Sequence, residues 1–157
     1  MVLFMTGLNP ILLGVTALLA LASIGAANDL SAKMRPVFFY GVLVAMAAIY
    51  VGFAVVALDQ ADFMTRPVLS VLIVESAAFL VFLFAGMAVL DSDRPWLLGV
   101  FIMVHGGIDL IHLLMGTPHS PAWYEFLCVL YDAVVGLAAI WLLSEKPAAN
   151  PEAAPSQ

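Results

Sequence analysis

The amino-acid sequence predicts an all-α integral membrane protein, a single bundle of five transmembrane helices with its N-terminus outside and its C-terminus in the cytoplasm. Three observations predict it. The 157 residues are 64% hydrophobic and only 10% charged, whereas a soluble domain carries about 25% charged residues. Such a chain cannot cover a water-facing surface. Five apolar runs each reach the roughly 20 helical residues needed to cross a bilayer core. Each of the five begins at a proline. Composition also excludes other classes. Five Lys/Arg against eleven Asp/Glu leave no basic face for nucleic acid. The single cysteine, Cys128, excludes an internal disulfide and any cysteine-based zinc or iron–sulfur site.

The runs are 10–27, 36–58, 67–90, 95–116 and 121–143, headed by Pro10, Pro36, Pro67, Pro95 and Pro121. Proline is tolerated in a first helical turn, because the amide it lacks would have no helical partner there. Asn9, Asp93 and Ser120 are expected N-caps. In the first run, Gly25-Ala26-Ala27 resembles a signal-peptidase site. No Lys or Arg precedes that run, and cleavage would leave Lys33 and Arg35 outside, against the positive-inside rule. A retained helix is therefore expected. The second run carries Gly41, Ala45, Ala48 and Gly52 on one stripe, and the third Glu75, Ala78, Phe82 and Gly86. Both stripes are expected to be helix-packing seams.

Charge sets the orientation. Lys33 and Arg35 lie in the 28–35 loop, Arg94 in the 91–94 loop and Lys146 in the tail, against Arg66 alone on the other side. The basic side is expected to be cytoplasmic, with Trp96 and Trp141 at the inner interface and Trp123 and Tyr124 at the outer one. Residues 1–143 form one transmembrane domain in this reading. Residues 144–157, rich in Pro, Ala and polar groups, are expected to be a disordered cytoplasmic tail. The predicted location is a multi-pass position in a cell membrane, the bacterial inner membrane.

Ionisable groups inside hydrocarbon cost at least about 2.5 kcal/mol each and mark functional candidates. The third run holds Glu75; the fourth holds His105, Asp109 and His112; the fifth holds Glu125 and Asp132. His105, Asp109 and His112 fall within about 60° of helical arc, and Glu125, Cys128, Asp132 and Gly136 within about 80°. The segment 116–120 is short, so the fourth and fifth helices must be antiparallel neighbours. Equal distance from that turn pairs His105 with Asp132 or Ala133, Asp109 with Cys128 or Val129, and His112 with Glu125 or Phe126. Glu75, about 12 Å from its helix start, reaches a similar depth. No Lys or Arg accompanies these groups, so protons, imidazolium or a bound cation must neutralise the carboxylates.

Each group taken singly reads as a buried hydrogen bond that locks two helices, worth about 0.6 kcal/mol on average. Six groups at one depth, each needing a partner, favour a functional site. Tyr124 and Tyr131 can hydrogen-bond into it or serve as interfacial and core aromatics. His119 reads as a solvated loop residue and Cys128 as a packing residue. Three chemistries compete. A divalent metal (Zn²⁺, Mn²⁺ or Fe²⁺) would take His105, Asp109 and His112 with a carboxylate from the fifth helix. Haem is disfavoured, because two histidines on one helix cannot sandwich one iron. Metal-free acid/base catalysis would use His105, Asp109, Asp132 and Glu75, with Glu125, Tyr131 and Tyr124 binding the substrate.

The arrangement resembles in outline the sterol-isomerase and emopamil-binding family. That family draws its His and acid from earlier helices, and no residue role carries over. The functional expectation is an embedded enzyme acting on a lipid or isoprenoid-like substrate. The competing one is a non-enzymatic protein that binds a hydrophobic small molecule or couples to protons or cations through the same pocket. A purely structural subunit is the third. The bilayer is the expected partner, and a homo-oligomer is compatible with the small size.

Overall fold

A computed structural model of the chain describes residues 9–60, 66–116 and 120–145. Its elements are α1 (Pro10–Asp29), α2 (Met34–Gln60), α3 (Arg66–Leu90), α4 (Leu97–Met115) and α5 (Ala122–Ser144). All five are long and apolar enough to cross a membrane, and the described residues contain no strand. The molecule is an all-α bundle, as the composition predicts. The tail from residue 146 on, Lys146 included, lies outside the described residues, as does His119.

Only α1 begins at its proline; α2 and α3 begin earlier, at Met34 and Arg66, with Pro36 and Pro67 inside the first turn. Asn9 caps α1, its side-chain oxygen accepting from the Ile11 amide at 2.9 Å. Pro95 and Pro121 stand just before α4 and α5, which begin at Leu97 and Ala122. The expected caps Asp93 and Ser120 therefore do not act as such; Trp96 and Pro121 hold the cap positions without a side-chain bond. The Ser120 hydroxyl is engaged elsewhere, donating to Glu125 Oε1. At its other end α4 stops at Gly116, left-handed at φ 67°, whose amide returns to the His112 carbonyl at 2.9 Å. Glycine adopts that conformation without a Cβ penalty.

α2 touches all four other helices, while α5 packs on α4 and α1. The contact between α4 and α5 is the tightest. A Cβ on Gly99 would sit 2.5 Å from the Gly136 carbonyl oxygen, and one on Gly106 would sit 2.7 Å from Asp132 Cβ. Small residues let the two backbones meet. Gly86 does the same for α3, with Tyr40 lying where its Cβ would be. The α2 stripe behaves otherwise. Gly41, Ala45, Ala48 and Gly52 are all exposed, and nothing lies within 4 Å of a Cβ built on either glycine. That expected seam is not an intramolecular one, because α2 turns Phe39, Leu43, Met46, Tyr50 and Ala54 inward instead.

α1 is held by the Ser23 and Tyr131 hydroxyls, 2.7 Å apart, and by burial of Ala20 and Ala27. Ala27 belongs to the small-residue triplet and is fully buried. One end of the bundle gathers residues 32–36, 93–96 and 142–145, with Arg35 Nη1 3.7 Å from Glu145 Oε2. The core near that end is apolar, built from Leu98, Ile102, Val135, Ala139 and Leu142. The polar groups occupy the other half.

Candidate functional site

At the middle of α4 and α5, His105 Nδ1 lies 2.9 Å from Asp132 Oδ2, so the expected contact across the hairpin is present. Gly106 makes it possible, since α5 rests directly on that residue. One turn along α4, Asp109 Oδ2 approaches the same nitrogen at 3.4 Å. Two carboxylates thus converge on one ring nitrogen. His105 is 4% exposed, and Asp109 and Asp132 are at 0%.

The hydrogen-bond accounting does not close. No well-formed hydrogen bond reaches either Asp109 oxygen or Asp132 Oδ1; the donors beside Asp109 are His105 Nδ1 at 3.4 Å and the Tyr50 hydroxyl. Buried carboxylates normally have their oxygens satisfied, because stranding one away from water costs several kcal/mol. A single N–H on His105 serves Asp132 well and leaves Asp109 wanting. Together the three residues offer ligand atoms that all lie within 4.8 Å of one another.

Glu75 from α3 and His112 from α4 stand beside this group, Oε1 to Nε2 3.7 Å apart. Glu125, 1% exposed, accepts from Ser120 at the start of α5. Of the residues singled out in the sequence, His105, Asp109 and Asp132 are therefore brought to one point. Glu75 and His112 are brought together next to it. Tyr131 instead meets Ser23, and Tyr124 packs against Phe53 at 4.9 Å and Tyr50 at 5.9 Å.

Tyr50 is the residue that sequence reasoning passed over. Only 3% exposed, it packs on His105 at 5.8 Å and on His112 at 5.4 Å, with Asp109 as a near neighbour. A signal existed. Tyrosines of membrane helices favour the interfaces, and Tyr50 stands well inside its run. Phe82 closes the other side of His105 at 5.4 Å.

The space at this site is small. Tyr50, Glu75, Phe82, His105, Asp109 and His112 line a cavity of about 10 Å³, roughly the room one water needs. Two larger spaces lie elsewhere. A hollow of about 750 Å³ at the far end of the bundle is bordered by Arg35, Asp93 and Glu145. An apolar groove of about 470 Å³ runs between α1, α2 and α5, with Thr16, Ser23, Tyr124 and Tyr131 among its lining residues. It shares no lining residue with the small cavity. Comparison with protein-family models, with curated proteins and with solved structures gives no match.

Proposed function

We propose that this chain is a membrane protein that binds a small cation inside its helical bundle, at His105, Asp109 and Asp132. One observation carries the reading: two fully buried carboxylates converge on a single imidazole nitrogen beside a cavity of about 10 Å³. A lipid or isoprenoid-like substrate has no room there, whereas a cation needs none beyond what the ligands enclose. A proton on Asp109 would remove one charge and supply one O–H donor toward His105 Nδ1, 3.4 Å away, and would leave the Asp132 charge in place. A cation satisfies charge and coordination together.

The reading is tested on detergent-purified, chelator-stripped protein by thermal unfolding against Na⁺, K⁺, Mg²⁺, Ca²⁺, Mn²⁺, Co²⁺ and Zn²⁺. A ligand that binds only the folded state adds about 2.7 kcal/mol at a hundred times its Kd. Saturable stabilisation by at least one cation is expected, and Asp109→Asn should remove it. Stability that ignores every cation overturns the proposal.

The groove favours a second reading in the same class, a site for a hydrophobic small molecule. Its wall is apolar, and the Ser23, Thr16, Tyr124 and Tyr131 side chains supply the few polar points that ligand pockets use to fix orientation. A lipid-like compound co-purifying at one per chain, and lost in Ser23→Leu, would support it. For the membrane itself we place the 32–36 and 93–96 end on the cytoplasmic side, because Lys33, Arg35 and Arg94 gather there.

A further inference from the structure

We propose that the cation is a divalent first-row transition metal of the Zn²⁺, Mn²⁺ or Fe²⁺ kind, held by His105 Nδ1 and one carboxylate oxygen each from Asp109 and Asp132, with a water as fourth ligand. This rests on the cation-binding reading above and names its ligand class.

Ligands about 2.1 Å from a tetrahedral metal stand about 3.4 Å from one another. The nitrogen already stands 2.9 Å from Asp132 Oδ2 and 3.4 Å from Asp109 Oδ2, and no pair of the three ligand atoms exceeds 4.8 Å. The two carboxylates come from different helices, and Gly106 fixes the separation of those helices through its contact with Asp132 Cβ.

The carboxylate oxygens are poorly served by the protein. Asp109 is at 0% exposure with no well-formed hydrogen bond to either oxygen, and none reaches Asp132 Oδ1. The buried polar side chains among the described residues are Glu75, His105, Asp109, Ser120, Glu125 and Asp132, so four acids share this interior without a Lys or Arg. Glu75 has His112 and Glu125 has Ser120 beside it, so the charges left at the His105 group are those of Asp109 and Asp132; a dication balances both and an alkali ion only one.

Imidazole with two carboxylates suits Zn²⁺, Mn²⁺ and Fe²⁺; Ca²⁺ and Mg²⁺ prefer all-oxygen shells, and Cu⁺ prefers sulfur. Three protein ligands leave one position open, as in metal sites that keep a water. The cavity of about 10 Å³ bordered by His105 and Asp109 is where that water fits. Phe82 and Tyr50 pack around the imidazole and exclude further solvent.

The experiment is Co²⁺ and Mn²⁺ titration of the stripped, detergent-purified full chain. Co²⁺ reports by its visible ligand-field spectrum, and Mn²⁺ by electron spin echo modulation from a ligating nitrogen. One equivalent per chain is expected, with a tetrahedral Co²⁺ spectrum that excess Zn²⁺ erases and modulation from one imidazole. Asp109→Asn and Asp132→Asn should each abolish the spectrum. The wild-type nitrogen signal tests the assignment even if these variants fail to fold. Stabilisation by Na⁺, K⁺, Mg²⁺ or Ca²⁺ with no Co²⁺ or Mn²⁺ binding overturns this inference and leaves the cation-binding reading standing. Indifference to every cation overturns both. Binding that survives Asp132→Asn but is lost in His112→Gln overturns the ligand set.

Discussion

Gly106 is the residue on which the site geometry turns. It sits next to His105 in sequence and under Asp132 Cβ in space, where an added methyl would come to 2.7 Å. Side-chain atoms cannot approach so closely, so Gly106→Ala must push α5 away and separate Asp132 from His105. Overpacking of this kind costs about 1–3 kcal/mol. Gly107, one position on, has nothing within 4 Å of its built Cβ. Alanine is the better helix former by up to about 1 kcal/mol, so Gly107→Ala should leave stability level or raise it. Thermal unfolding of both variants in one detergent measures the contrast, and equal losses would refute the packing account. The same rule separates Gly99 and Gly136, wedged backbone to backbone, from Gly41 and Gly52, which meet nothing.

Among the elements, α1 is the most lightly held. Only Ala20 and Ala27 are buried on it, while Ile11, Leu18 and Leu21 are each about two-thirds exposed or more. Its directional anchor is the hydroxyl contact from Ser23 to Tyr131 on α5. In a membrane such contacts average about 0.6 kcal/mol and reach about 1.7 kcal/mol. A double-mutant cycle of Ser23→Ala and Tyr131→Phe should give a coupling within that span. A coupling indistinguishable from zero would mean that apolar packing alone holds α1. The α4–α5 hairpin behaves differently, since its glycine contacts and the His105–Asp132 pair act together and the loss of either disturbs both.

For the molecule as a whole, the decisive property is the split of the bundle into a polar half and an apolar half. Glu75, His105, Asp109, His112, Glu125 and Asp132 lie from the helix middles toward the turn that joins α4 and α5, and the opposite half is closed by Leu98, Ile102, Val135, Ala139 and Leu142. In the cation-binding reading proposed above, an ion would reach the site from the polar end, and the apolar half would oppose passage onward. In the proposed orientation, with the basic end cytoplasmic, that polar end would face outside. Reporter fusions after residue 30 and after residue 145 should both read cytoplasmic. Both reading outside would reverse the orientation, and a split result would break the five-span topology.

Sequence alone determined the number of spans, close helix limits and the meeting of His105 with Asp132. These follow from chain length per span, from proline at helix heads, and from a connection between α4 and α5 too short to permit anything but an antiparallel pair. It also marked the acids and histidines, because charge in hydrocarbon is costly wherever the helix turns. Which face of each helix points inward was another matter. In a soluble protein the apolar stripe marks the core, but a membrane helix is apolar all round and that signal vanishes. Only packing chose to turn Tyr50 inward and Gly41, Ala45, Ala48 and Gly52 outward. Only packing set His112 apart from the group of His105, Asp109 and Asp132 and stood it beside Glu75 instead. The tertiary structure also shrank the space there to about 10 Å³, since side chains from α2, α3 and α4 fill it, and no linear pattern specifies how completely three helices will close on one another.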